Sequence, residues 1–455
     1  MQVVVLFVFF ATWSALLFVH LSPADAASIP TQRQSDKQSG PFSPLQPEGR
    51  DIRLNRAVHW LANREAVVGG EPETTPPPRE PGKRSKGRSR TSSACYVEQA
   101  HAASSSTQSS AVEVGADGVV TKATIAASIG AGGAGNGRGA PCFPALDFQM
   151  PHEEPDSLDG WWCSQQDEYA FLGFSYGTFD CPSANQIRSD FGRMRNDYSS
   201  RYVRIYSVCD REGFQDDLIN AAWEHGLGLH MLLWFGFDGG DVWKTRKRTL
   251  MQAIQYNPRA PFVVRAVVVG SEPLYDWALD PDSLAVQIRD FRQQLAPWTQ
   301  RGDTGMQVTL SDLAYGFQLH DDAPQVFAAV DVSEANVLPF LDPKGTTGDK
   351  AFTLVKRDYE YFASRNSGKK VYMTQTGWPS DDSVFKPNSK DAVASVAQER
   401  AYFEMLDDQC PWMKGLNQGG VGWFAHIWSD AMLPGWGVIG YDGRPKFRFA
   451  PRTTC

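Results

Sequence analysis

The sequence predicts an α/β fold, a (β/α)8 TIM barrel preceded by a signal peptide and a disordered low-complexity tail. Three observations carry that expectation. Eight near-continuous apolar runs alternate with amphipathic segments between residues 169 and 430, and such strands separated by helices belong to a parallel sheet covered on both faces. The repeats occupy about 280 residues, a usual length for one closed barrel. Residues before 160 show no periodic apolar face, so the chain reads as one folded domain rather than the three that roughly 150 residues per domain would suggest.

Taken in order, residues 1–26 read as a secretory signal peptide. Val3 to Val19 form an apolar run, and Ala24 and Ala26 supply an A-x-A pattern, with cleavage expected after Ala26. No Lys or Arg precedes the run, so an uncleaved anchor is the alternative. No later segment is apolar enough to span a bilayer. Residues 27–160 are expected to form a disordered linker. Its stretch 68–93 is rich in Pro, Gly, Arg and Ser, with six basic residues between Arg79 and Arg90. That run suits a solvated linker; a dibasic processing site at Lys83-Arg84 or an anchor to wall polyanions is the sharper alternative. Gly130 to Gly135 fit G-x-G-x-x-G, but NGRGAPCFP follows where a dinucleotide site needs a helix.

The barrel is expected over 161–455. Its strand runs are YAFLGFSYG, YVRIYSV, LGLHMLLWFGF, FVVRAVVVGSE, MQVTLSD, AAVDVSEANVLPF, KKVYMTQTGWPS and GVGWFAHIWSD. Helical spacing places Leu284, Ile288, Phe291 and Leu295 on one face, Phe214, Leu218 and Ala222 on another, and Phe352, Val355, Tyr359 and Phe362 on a third. Core packing explains all three stripes. Gly226 is placed to cap the second helix.

Net charge is −8 with an isoelectric point near 5.6, which argues against a nucleic-acid partner for the whole chain. Mean hydropathy of −0.36 excludes a polytopic membrane protein. Seven cysteines follow the leader. Export implies that some pair, and the odd count leaves one over. No metal-ligand spacing and no N-x-[ST] sequon occur, so neither a metal nor another cofactor is expected.

Barrel chemistry sits at the C-terminal ends of the strands. Those ends carry Ser175-Tyr176, Tyr206, Trp234-Phe235, Glu272, Asp312, Glu334, Asn336, Gln375, Trp378, Trp428 and Asp430. A few carboxylates among many aromatics suit carbohydrate: pyranose C–H faces lie on rings, and edge hydroxyls bond to carboxylates and amides. Trp223 and Trp243, within helices, read as core; Trp378, Trp423 and Trp428 stand at strand ends, where function is as plausible as packing. Glu272, in AVVVGSEPLY, is a carboxylic acid placed to protonate a glycosidic oxygen. A structural Glu paired to an Arg is the alternative.

The order GFSYG, VRIYS, GSEPLY, N-x-L-P-F and TGWPS over about 170–448 resembles family 17 glycoside hydrolases, the endo-β-1,3-glucanases and glucanosyltransferases of plants and fungi, and the GSE variant looks fungal. The resemblance implies a retaining barrel enzyme acting on cell-wall β-1,3-glucan, with Glu272 as proton donor. Tyr206, Asn336 and Phe340 match cleft positions; Tyr176, Trp378 and Trp428 join them as expected substrate contacts. The leader implies a secreted protein, extracellular or in the cell wall, with no membrane span once it is cleaved, and a monomer is expected.

Two departures bear on catalysis. Gln375 stands where the family has its nucleophilic Glu, and the acidic stretch of strand eight reads WFAHIWSD, with His426 and Asp430 as imperfect stand-ins. Glu334 and Asp312, or Asp381 and Asp382, are candidate replacement carboxylates. The competing expectation is a glucan-binding relative without turnover. A remote one is a serine esterase at Ser175, since GFSYG fits G-x-S-x-G; TFDCPSANQ follows where the elbow needs a helix.

Overall fold

The computed structural model describes residues 141–236 and 240–455. The leader, the basic run, Cys95 and the glycines at 130–135 lie outside the described residues.

Eight parallel strands close into a barrel in sequence order: β1 Ala170–Gly177, β2 Tyr202–Tyr206, β3 Gly228–Leu233, β4 Val264–Ser271, β5 Gln307–Leu313, β6 Ser333–Val337, β7 Val371–Thr376 and β8 Gly422–Ala425. Each expected run contributes one strand. The crossover helices include Phe214–His225, Pro281–Gln294 and Phe352–Arg365, whose apolar stripes are the expected ones. Gly226 closes the first of these in the left-handed region at φ 66°. No α-helix follows β8 among the described residues. A non-helical segment covers that side instead: Phe449 packs on Phe171, Phe174, Tyr198 and Phe403. Lys446 pins the segment, with its Nζ 2.7 Å from Glu399 Oε2 and 3.1 Å from Asp430 Oδ1.

The floor of the barrel is polar but closed. Glu168, which is buried, accepts from Tyr202 Oη at 2.6 Å, Arg265 Nε at 2.9 Å and the Tyr372 hydroxyl. Burial opposes its charge, yet Arg265, the two phenols and Lys370 outweigh burial and hold the carboxyl below its usual range. Above it, β3 contributes His230, whose Nδ1 lies 2.6 Å from Glu334 Oε1 of β6.

The folded domain begins earlier than the expected boundary at 161. Cys142 pairs with Cys163. Phe143 is fully buried among Phe148, Trp161 and Trp162, and Trp161 stacks on Trp223. Residues 142–160 are therefore packed by aromatic contacts that their sparse, aperiodic apolar residues do not announce. Cys181–Cys209 and Cys410–Cys455 complete the pairing of the described cysteines. No helix among the described residues is long and apolar enough to cross a membrane.

Candidate active site

The end of β4 is shaped by a glycine. Gly270 sits at φ 101°, and a Cβ there would lie 2.7 Å from Pro273 and 2.8 Å from the Phe235 ring. The pairing with β5 shifts register between Val268 and Ser271, so the strand kinks as a bulge does. Glu272 follows at φ 57°, a left-handed conformation rare for a side chain with a Cβ. Together these turn Ser271 and Glu272 toward the barrel mouth.

Asn336 of β6 joins Glu272 to the end of β7. Its Nδ2 donates to Glu272 Oε1 at 3.1 Å. The Gln375 amide is assigned with its oxygen toward the neighbouring donors, since the reverse orientation would face nitrogen with nitrogen. So oriented, Gln375 Oε1 accepts from Ser271 Oγ at 2.8 Å, Arg204 Nη1 at 3.0 Å, Arg204 Nη2 at 3.2 Å and Asn336 Nδ2 at 3.1 Å. The oxygen of a neutral amide thus occupies a cage of donors that includes a guanidinium. A carboxylate is the group such a cage suits best.

Arg204 and Ser271 were not singled out from sequence. Arg204 shares the inward face of β2 with Tyr202 and Tyr206 by strand alternation, and a charged residue at that spacing in an apolar strand is the signal that points to it. Its Nη2 also donates to Ser271 Oγ at 3.0 Å and to Ser311 Oγ. Burial pulls its pKa below the guanidinium norm, against Glu334, Tyr206 and Glu272; arginine still carries its proton throughout the accessible range. Tyr206 lies edge-on to Trp234 and His426, with Arg204 over its ring. It stands at the C-terminal end of β2.

Four expected sugar contacts are placed elsewhere. Tyr176 is buried, donates to Asp190 Oδ2 at 2.8 Å and packs on Phe191 of the helix Ala184–Tyr198. Trp428 is buried between Phe174 and Tyr198, under Arg193. Both face the helix layer rather than the mouth. Trp378 and Phe340 are buried edge-to-face on each other, and Trp378 Nε1 donates to Val393 O at 2.8 Å. They support the wall from behind. The T-G-W-P-S motif is accordingly architectural: a Cβ on Gly377 would lie 2.4 Å from His426 O, and Ser380 N bonds to Gly435 O.

The candidate replacement carboxylates are all engaged. Asp312 Oδ2 accepts from Leu274 N at 2.7 Å and Tyr275 N at 3.3 Å, and Oδ1 from Leu313 N at 2.8 Å. Burial, then the charge of Glu272, pushes its pKa well up, while those backbone N–H groups oppose the shift. Glu334 is buried below the mouth against His230. Asp381 is bonded to Ser383, Asp382 pairs with Lys386, and Asp430 holds Gly437 N and Lys446. Ser175 is buried within β1 and donates to Thr374 O at 2.9 Å, which removes it as an exposed nucleophile. No group of three or more metal-ligating side chains is found among the described residues.

Against known families, residues 173–431, more than half of the chain, match the BtgE/BtgC glycoside hydrolase domain. The chain belongs to that family. The chain is 25% identical over 304 residues to a protein of Aspergillus niger named "Probable glucan endo-1,3-beta-glucosidase eglC", covering 60% of this chain and 61% of that one. It is 24% identical over 278 residues to "Probable glucan endo-1,3-beta-glucosidase btgC" of Aspergillus fumigatus, covering 58% and 37%. The BtgE/BtgC-type chain thus spans less than two thirds of the length of these relatives. Its fold is shared with an active-site mutant of a Rhizomucor miehei β-1,3-glucanosyltransferase solved with laminaritriose, at a TM-score of 0.51 and 23% identity, over 64% of this chain and 99% of that one.

Proposed function

We propose that this BtgE/BtgC-family barrel is a secreted glycosidase acting slowly on β-1,3-glucan, with Glu272 as its acid and base. The observation that carries this reading is the junction of Glu272 and Gln375 through Asn336 at the mouth of the barrel. The relatives' names supply the substrate class, and three disulfides among the described residues support an oxidising compartment.

Glu272 gives its proton to the glycosidic oxygen as the C1–O bond breaks; a water then adds to C1 from the vacated side and returns a proton to Glu272. A retaining site would place a second carboxylate about 5–5.5 Å away to attack C1. Gln375 is neutral and cannot offset the oxocarbenium charge, and the Arg204 cation behind it raises that barrier further. Turnover without covalent capture is therefore slow.

A second reading, a glucan-binding relative without turnover, is favoured by the engagement of Asp312, Glu334, Asp381, Asp382 and Asp430 in other bonds. One experiment separates the two: laminarin hydrolysis by wild type, Glu272→Gln and Gln375→Glu. The proposal expects weak wild-type activity abolished by Glu272→Gln, and a gain in kcat for Gln375→Glu on the order of 10²–10³-fold, the usual worth of one group stabilising transition-state charge. Wild type without turnover but with laminarin affinity would establish the binding relative.

A further inference from the structure

Glu334 is a fully buried carboxylate that the chemistry at Glu272 does not use. It stands on β6 two residues before Asn336, on the same inward face. Strand rise puts it about 6.6 Å below the residue that bonds to Glu272. The same layer of the barrel holds Arg204, also fully buried. Arg204 is in register with His230 of β3, and Ser311 of β5 with Glu334. His230 Nδ1 lies 2.6 Å from Glu334 Oε1, and Arg204 Nη2 donates to Ser311 Oγ. Register and contact thus close a ring through β2, β3, β6 and β5 that contains one guanidinium and one carboxylate. We propose that Glu334 is the counter-charge of Arg204, a positioning residue that screens the reacting sugar from the guanidinium where Gln375 cannot. The kinetic part of this inference rests on the glycosidase reading of Glu272.

A lone ion inside a protein is costly, so each of these charges requires a partner. Every hydrogen-bond acceptor of Arg204 is neutral: Gln375 Oε1, Ser271 Oγ and Ser311 Oγ. Its Nε is buried without an acceptor in the protein. Glu334 is the converse case. An imidazole bonds to Oε1, and Oε2 is buried without a donor in the protein. The other carboxylate–guanidinium pair of the interior, Glu168 and Arg265, is already matched at 2.9 Å on the floor. Arg204 and Glu334 are left to balance each other through an interior where charges act at longer range than in water. Burial lowers the pKa of Arg204, and Glu334 opposes burial more than Tyr206 or Glu272 does.

A β-1,3-glucan chain is uncharged, so the field of Arg204 matters little to its binding. Positive charge develops at C1 as the glycosidic bond breaks, and an unscreened guanidinium raises that barrier alone. With an amide at 375, the negative charge comes from one layer further down, at longer range than a carboxylate at 375 would act.

The test is a double-mutant cycle of Glu334→Gln and Gln375→Glu, read by thermal midpoint and by kcat and KM on laminarin. Glu334→Gln keeps an acceptor for His230 and removes only the charge. It should lower the midpoint by about 5 °C. It should also lower kcat about 10-fold with KM unchanged, the size of one unit charge acting across a barrel layer. Gln375→Glu should raise the midpoint more in the Glu334→Gln background than in wild type, because it returns the charge to the guanidinium. An equal change in both backgrounds would overturn the counter-charge. Arg204→Met separates this coupling from direct repulsion between two carboxylates: in that background Glu334→Gln should cost nothing. An undiminished cost would assign Glu334 to packing against His230. A loss through KM alone would overturn the screening role. Absence of turnover in wild type would overturn the glycosidase reading, and the midpoints would still decide the counter-charge.

Discussion

At the scale of the residue, Gln375 is the point where sequence and surroundings disagree. Four donor contacts converge on its amide oxygen, two of them from one guanidinium. Gln375→Glu replaces a neutral acceptor by a charged one without adding bulk, and hydrogen bonds to charged groups are worth about 1.5–3 kcal/mol against about 1 for neutral ones. The variant should be at least as stable as wild type at neutral pH in denaturant unfolding. A loss of about 2 kcal/mol or more would mean that the cage is matched to the amide. TGWPS draws attention to position 375 in the sequence, and Glu272 and Asn336 are candidates because they stand at strand ends. The other side chains of the cage were not legible there. A serine is unremarkable at a strand end, and Arg204 becomes conspicuous only once β2 has an inward face.

At the scale of the element, every strand was legible, since parallel barrel strands are apolar along their whole length. That same uniformity hides which way each residue points: with both faces buried, alternation carries no polarity signal. Tyr176 and Trp428 were assigned to the mouth for that reason, and they lie against helices. The loops are harder still, because their order comes from single long-range bonds such as those of Asp312. Asp312→Asn keeps the size of the side chain but sets an amide N–H against backbone N–H donors. The cost of leaving buried donors unpaired is about 1–3 kcal/mol. Hydrogen exchange should quicken at 272–278 and 312–320 and stay unchanged in β1 and β8. Uniform quickening across the barrel would assign Asp312 to global stability instead.

At the scale of the molecule, the non-helical C-terminal segment creates a pH dependence. Glu399 is fully buried, and burial pushes its pKa up to about 8 despite Lys446; the neighbouring Asp430 and Asp381 push the same way. Its folded pKa lies above the ordinary glutamate value of 4.5. The stability it contributes is therefore complete below the unfolded pKa and is lost as pH rises through about 8. Asp430, also raised by burial, acts in the same direction. The thermal midpoint should fall between pH 4.5 and 8, and Glu399→Gln should flatten that slope. An unchanged slope in the variant would assign the dependence to other groups. The early start of the folded domain was hidden for a different reason: Phe143, Phe148 and Trp161 join a cluster completed by Trp223 and Phe262 far along the chain.

The cage around Gln375 has a genetic consequence. Glutamine and glutamate codons differ only in their first base, a C in one and a G in the other. Because Arg204, Ser271 and Asn336 already surround the position with donors, that one transversion would need no accompanying change in its neighbours. On the proposed function, a lineage carrying this barrel would cross between a slow site and a fast one in a single mutational event, in either direction.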